Sequence, residues 1–321
     1  MFDNIQMQSI KLSICIPTYN RAVYLRDTIQ SIVCQKVFID SDQVEIIISD
    51  NCSDDNTKQV ANEFTSIYGE KILYYRNDIN IVDKNFELAM RRGNGLFLKL
   101  NNDTLKHKDG SLQKMLSTID SNLTEKKILF FSNGESTASS LECKNLDEFV
   151  SKVSYNSNWI GAFGLWKSDF DEINDFNRYS HLLLTQTDVL FRLISTGKKV
   201  QIYNEKIFEV LEVQKKGGYD LITVFVDNYT FILDEFINKG QISPKTYEDE
   251  VRKLVLKFLA AWIARIKVYP ETYHFKIDNW KERVKSFCKN RNFLFTEFLV
   301  KYTFSRSKLY VKKQLKHYVL H

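Results

Sequence analysis

Residues 12–21, Leu-Ser-Ile-Cys-Ile-Pro-Thr-Tyr-Asn-Arg, decide how the fold is read. Residues 12–16 are a nearly continuous apolar run, the pattern of a strand buried on both faces. The polar group Pro17-Thr-Tyr-Asn-Arg21 follows, and then Leu25, Ile29, Ile32 and Val33 recur at helical spacing. The same succession repeats down the first half of the chain. Residues 44–48, 72–75, 96–100 and 128–131 predict four more strands. Between them Val60, Phe64 and Ile67, the stretch 86–92, and Leu112, Met115, Leu116 and Ile119 predict helices. Such alternation predicts an α/β domain with a parallel, helix-covered sheet and right-handed crossovers.

The second half is less regular. It holds a Trp- and Gly-bearing segment at 159–166, a helical stretch at 187–195 and short apolar runs at 200–203 and 207–213. Lys215-Lys-Gly-Gly218 is its best punctuation. Beyond it the pattern predicts helices over 221–238, 247–268 and from 279 onward. The expected division is therefore a catalytic domain over 1–215 and a helical, basic region over 216–321.

Composition narrows the class. The 321 residues are 44% hydrophobic and 26% charged, enough apolar material for a packed core, so disorder is excluded. Eleven Gly and three Pro exclude collagen-like and linker-rich chains. Five cysteines without a C-x-x-C pair, and five histidines without H-E-x-x-H, give no zinc signature. Buried thiols in a reducing cytoplasm are the expectation. The first ten residues lack a signal-peptide pattern, and no run of about 18 apolar residues could span a bilayer. A soluble or peripheral protein is expected.

The residues that follow each predicted strand carry the functional information. They are 17–21 after the first, Asp50-Asn-Cys-Ser-Asp54-Asp55-Asn-Thr57 after the second, Arg76-Asn-Asp-Ile-Asn80 after the third and Asn101-Asn102-Asp103-Thr104 after the fourth. Ligands of open parallel sheets bind at the carboxyl ends of the strands. Four polar clusters on that one edge weigh more than any single motif. Asp50 could accept from a nucleobase or ribose, Arg21 could meet phosphate, and Asp103 could hold a divalent cation. Neither G-x-G-x-x-G nor G-x-x-x-x-G-K-[ST] occurs, so a diphosphate must be managed by side chains and metal.

Residues 13–21, 46–57 and 100–104 together closely resemble, in order and spacing, the family 2 glycosyltransferases of GT-A fold. Within that family they are most similar to lipopolysaccharide O-antigen enzymes of the abequosyltransferase type. The likeness is good over roughly the first 130 residues and fades by about 213. It implies a Rossmann-like, mostly parallel sheet flanked by helices, with a helical C-terminal region. The implied activity is transfer of a sugar from a UDP-, dTDP-, CDP- or GDP-sugar to a hydroxyl of a lipid-linked glycan, as in O-antigen, lipopolysaccharide or capsule assembly. The implied location is the cytoplasm, peripheral on the inner face of the cytoplasmic membrane.

Carried over residue by residue, the likeness implies that Pro17, Thr18, Tyr19, Asn20 and Arg21 line the nucleotide site and that Asp50 contacts the base. Asn80, Lys84, Asn101 and Asn102 are further nucleotide-site candidates, although Lys84 suits a solvated helix face equally well. Asp103 is the expected ligand of Mn2+ or Mg2+. Asn101 stands where the family's motif has its first Asp, and one carboxylate fewer weakens metal binding. The family's base is an Asp at the start of a later helix, and Thr185-Gln-Thr-Asp188 fits that place. Asp169, Asp171 and His181 are its rivals. Asp54 and Asp55 read most simply as caps of the next helix, and Trp159 and Trp166 as core residues.

The positive charge is not evenly spread. Residues 281–321 hold eleven Lys and Arg against two acids, +9, so the rest of the chain carries −4 of the total +5. Eight aromatic residues are interleaved with this charge. Basic residues with aromatic anchors read as a membrane-surface segment, although the same composition would serve nucleic acid or a plain solvated helical face. Because the resemblance implies a lipid-linked acceptor, an anionic membrane surface rather than nucleic acid is the expected partner. Two other readings stay open. A nucleotidyltransferase would want a Gly/Arg/Lys-rich loop after the first strand, which is missing. A non-catalytic module recruited by its tail is the third.

Overall fold

A computed structural model of the chain describes residues 10–135 and 140–319. The chain divides into two compact units, Met1–Asn145 with Asn158–Glu212, and Leu146–Ser157 with Val213–His321.

The first unit is built on strands β1 (Leu12–Thr18), β2 (Val44–Asp50), β3 (Ile72–Arg76) and β4 (Phe97–Leu100). They are joined by helices α1 (Ala22–Val33), α2 (Lys36–Asp40), α3 (Thr57–Tyr68) and α4 (Lys84–Arg91). Two further strands, β5 (Leu105–His107) and β6 (Ile128–Phe131), flank helix α5 (Ser111–Asp120). Strand β7 (Ser140–Cys143) follows and, after helix α6 (Leu146–Val153) of the second unit, strand β8 (Gly164–Trp166), helices α7 (Lys167–Glu172) and α8 (Thr185–Ser195), and strands β9 (Val200–Tyr203) and β10 (Phe208–Val210).

The main sheet has the order β3-β2-β1-β4-β8, with β8 alone antiparallel. Every residue of β2 is buried, as its Ile46-Ile-Ile48 run demands of a strand covered on both faces. Leu25, Ile29, Ile32 and Val33 of α1 pack on this sheet together with Val60, Ala61 and Phe64 of α3. Ile67 is different: it is 71% exposed, and Ala61 takes the inward position instead.

Pro17 in a central strand needs an explanation, because proline cannot donate to a ladder. The β1–β4 ladder ends at Cys15 and Leu100, with Asn101 N–H donating to Cys15 O. Alternation puts the missing N–H of Pro17 on that same side, where no strand continues. The proline therefore marks the place where β1 and β4 part.

The expected fifth strand of the main sheet lies elsewhere. β6 pairs with β9 in parallel and not with β4, and β7 adds antiparallel to β9. Gly164 of β8 takes the position beside β4, where a Cβ would sit 2.5 Å from the Phe97 ring. Of the 207–213 run, only β10 is strand, paired with β5.

The second unit contains α6, strands β11 (Lys216–Asp220) and β12 (Tyr273–Lys276), and helices α9 (Tyr229–Asn238), α10 (Pro244–Lys253), α11 (Ala260–Val268), α12 (Trp280–Phe287) and α13 (Leu294–Val319). The segments Thr223–Asn228 and Leu254–Leu259 wind as π-helical turns that lead into α9 and α11. The Lys215-Lys-Gly-Gly218 punctuation falls within a strand pair: β11 runs parallel to β12, and a Cβ on Gly217 would sit 2.5 Å from Phe275 N. Among the described residues no helix is long and apolar enough to cross a membrane.

Candidate active site

Register brings the strand ends into one row. Thr18 is opposite Asp50, and Asp50 is opposite Arg76. From β1 the chain goes first to β2 and β3 on one side and then to β4 on the other, so the switch point lies between β1 and β4. There the two ends meet. Thr18 Oγ1 donates to Asp103 Oδ2 at 2.9 Å and Arg21 Nη1 to Asp103 Oδ1 at 3.0 Å. Thr28 of α1 holds the Asp103 carbonyl at 2.9 Å. Burial pushes the Asp103 carboxyl up, against the opposing pull of Arg21, Thr18 and the Tyr19 N–H.

Among the described residues no group of three or more His, Cys, Asp or Glu converges on an ion position. The strand end offers one carboxylate and, on the preceding residue, Asn102 Oδ1, a buried oxygen with no hydrogen-bond partner. Two hard oxygens suit a cation that takes its other ligands from phosphate and water, as Mg2+ commonly does. Asn101 is not a third. Its amide turns inward, donating to Asn102 O and Leu105 O and meeting His107 Nε2 at 3.1 Å.

Two buried basic groups support this strand end, and neither was singled out in the sequence. His107 is pushed down to about 3 by burial and by Lys99. Lys99 is fully buried, donates to Leu100 O and Gly161 O at 2.7 and 2.6 Å, and is pushed down to about 7. A lysine in an otherwise apolar Phe-Leu-Lys-Leu strand was the available signal.

Several of the expected ligand groups hold hydrogen bonds within the protein in this state. Asp50 is fully buried, with Oδ1 accepting from Ser53 N–H at 2.9 Å and Oδ2 from the Tyr74 hydroxyl at 2.8 Å. Arg76 stands 3.6 Å from the same oxygen. A base contact by Asp50 therefore requires one of these donors to yield. Asn20, at φ 52°, fastens the β1 loop to the β2 loop: its N–H donates to Ser53 Oγ and its Oδ1 accepts from Asp54 N–H. Asp55 joins two helix starts, accepting from Ala22 N–H and Thr57 N–H. Tyr19 is 42% exposed, and Pro17 and Arg21 are partly exposed.

The loop after β3 is clamped by amides. Asn51 donates to Asn80 Oδ1 at 2.7 Å and accepts from Ile81 N–H and Asn77. Asn85 accepts from Ser49 and Asn77. Asn80 is thus a loop fastener, while Lys84 is exposed at the start of α4. Between them is Asp83, a residue the sequence reading passed over. Nothing among the described residues donates to its carboxylate, and burial alone pushes it up to about 6.

Asp188 lies in α8 with a side chain 1% exposed. Arg178 grips both of its oxygens, and Arg192 Nε donates to Oδ2 at 3.1 Å. In this state it has no face open to an incoming hydroxyl. Of its rivals, Asp169 is buried and paired with Lys198, Asp171 is paired with Lys167, and His181 is exposed. Trp166 is 1% exposed against Phe97, and Trp159 stands edge-on to Phe208.

A parallel sheet with its polar ends gathered at the switch point, and no glycine-rich phosphate loop, is the architecture of the GT-A glycosyltransferases. The structure is similar to Staphylococcus aureus TarS residues 1–349 in complex with UDP-GlcNAc, at a TM-score of 0.57 and 13% identity over 93% of this chain and 91% of that one. It is also similar to the mannosyltransferase PcManGT of Pyrobaculum calidifontis in complex with GDP-Man and Mn2+, at 0.55 and 12% over 92% and 86%. Residues 13–125 match the family described as Glycosyl transferase family 2. A curated relative, the abequosyltransferase RfbV of Salmonella typhimurium, is 40% identical over 85 residues, 26% of this chain. The match spans 25% of that relative's own length.

Proposed function

We propose that this protein moves a sugar from a nucleoside-diphosphate sugar to a hydroxyl of a lipid-linked oligosaccharide, with inversion at the anomeric carbon. One observation carries the reading: Thr18 and Arg21 meet Asp103 at the switch point of the segment that matches family 2. The nucleotide sugars named with TarS and PcManGT support a donor of that class.

In the proposed reaction the bond between the anomeric carbon and the β-phosphate oxygen breaks, and its electron pair stays on the diphosphate. The acceptor oxygen attacks from the opposite face and its proton passes to a carboxylate. Arg21, with 41% of its side chain exposed, and Lys84 stand at this edge as cations for the diphosphate. A Mn2+ or Mg2+ held by Asp103 and Asn102 Oδ1 would neutralise charge on the leaving group. Pro17, Tyr19 and Asn20 form the rim against which the nucleotide lies. Asp188 is the proposed base, and it acts once Arg178 turns from it to the incoming substrate.

A second reading of the base rests on Asp83, the unpaired carboxylate at the same edge, whose pKa near 6 suits proton transfer at neutral pH. The test is a panel of UDP-, dTDP-, CDP- and GDP-sugars with and without Mn2+, following binding and slow donor hydrolysis. Neither binding nor hydrolysis with any donor ends the proposal.

A further inference from the structure

Helix α13 is apolar on two opposite sides. On its inner side Leu294, Phe298 and Tyr302 are buried, the last two against Trp280. Its outer side carries Val300, Phe304, Val311 and Leu315, which are 64, 70, 55 and 60% exposed. At about 100° per residue these four fall within about 60° of arc, so they form one stripe. Single exposed apolar residues need no explanation, whereas an aligned set marks an interaction surface.

Charge decides what covers the stripe. Part of the +9 is already spent inside the unit: Arg283 pairs with Asp220 and Asp227, Arg291 with Glu248, and Lys313 with Glu271. Residues 320 and 321 lie outside the described part of the chain. Lys301, Arg306, Lys308 and Lys312 are exposed and make no ion pair among the described residues. Lys301, Lys308 and Lys312 follow the stripe along one flank, about 80–120° from Val300 around the axis. Glu297, the single acid of α13, is paired with Arg252.

A second copy of the chain would set these cations against their own kind. An anionic bilayer satisfies both features, since apolar side chains enter the headgroup boundary while lysines extend to the phosphates. We propose that α13 docks on anionic lipid through Val300, Phe304, Val311 and Leu315, with Lys301, Lys308 and Lys312 at phosphate level. The inference deepens the reading of a lipid-linked acceptor without depending on the sugar chemistry.

The test sediments the full chain with vesicles of phosphatidylcholine alone or with phosphatidylglycerol. Wild type should bind the anionic vesicles, and more weakly as salt is raised. A triple Lys301→Gln, Lys308→Gln, Lys312→Gln variant should lose on the order of a hundredfold in partitioning, about 1 kcal/mol for each lysine. A Phe304→Ser, Leu315→Ser variant should lose roughly tenfold or more. Binding by the serine variant equal to wild type overturns the proposal. So does a wild-type dimer that Phe304→Ser converts to monomer, because the stripe then belongs to a second copy. Acceptor-free donor hydrolysis should be unchanged in both variants. Vesicle binding in a protein that hydrolyses no donor would count against sugar transfer and leave the docking face standing.

Discussion

Two buried carboxylates in the first unit both meet arginine and differ in what is left over. Asp103 accepts from Arg21 on one oxygen and Thr18 on the other, and 41% of the Arg21 side chain remains exposed. Asp188 is enclosed, with Arg178 on both oxygens and Arg192 on one. A carboxylate can accept about four hydrogen bonds. Asp103 keeps room for another partner, and the residue before it carries the orphan Asn102 oxygen, whereas Asp188 is filled. The contrast shows that an arginine contact by itself does not define a role; unused lone pairs and access do. In this state Asp103 has a lone pair left over, and Asp188 has none until an arginine moves.

The largest effect that can break this contrast is on transfer itself. With Asp188 as base, Asp188→Asn should lower the transfer rate by about 10²–10⁴-fold, the usual contribution of a positioned base. Donor affinity should stay within a few-fold. If the pair is only structural, the same substitution leaves two arginines facing a neutral amide, and stability falls by about 3–5 kcal/mol with the rate per folded molecule unchanged. Asp83→Asn is the companion measurement. Full transfer by the Asp188 variant together with its loss in the Asp83 variant would move the base to the unpaired carboxylate.

The next largest effect concerns Asp103. Asp103→Asn removes the charge a cation needs, and should weaken Mn2+-dependent donor binding by roughly tenfold to a hundredfold, the range for one charged hydrogen-bonding partner. In EDTA the variant and wild type should bind donor with similar affinity. Equal affinity in Mn2+ would take Asp103 out of the metal site and leave Arg21 as the local counter-charge.

The same two places show how far the sequence can be read. β1, β2 and β4 are buried runs, and a polar cluster directly follows each predicted strand, so the edge on which the candidates gather was visible without coordinates. Which groups on that edge are open was not. Asp50, Asn20 and Asn80 look like ligand groups in sequence because Asp and Asn serve equally as substrate contacts and as fasteners between neighbouring loops. Only the bonds from Ser53, Tyr74, Asp54 and Asn51 separate the two uses. The partners of Asp188 were hidden for another reason. Arg192 is one helical turn away and could have been foreseen, but Arg178 comes from an irregular segment whose path no periodicity fixes. β6 left the main sheet because β8, with Gly164 fitting closely against Phe97, occupies the edge of β4. Nothing in the Ile-Leu-Phe-Phe of β6 distinguishes one buried sheet from another.

The smallest expected effect probes what lies beneath Asp103 and has no counterpart at Asp188. His107 meets Asn101 at 3.1 Å and is held down to about 3, well below the ordinary histidine value. A group with a depressed folded pKa binds fewer protons folded than unfolded between those two values. His107 therefore contributes stability that is fully present above about pH 6.5 and is lost as pH falls toward 3. Between pH 6 and pH 5 the loss should be about 1 kcal/mol. Other groups titrate over the same interval, so the quantity to measure is a difference: urea unfolding of wild type and His107→Gln at both pH values. Glutamine keeps an amide donor for Asn101 and cannot take up the proton. The variant should be less stable than wild type at pH 7 and show a shallower decline on acidification. Parallel declines would mean that the neutral histidine does not support the strand end, and that the readiness of Asp103 comes from Thr18, Arg21 and Thr28 alone.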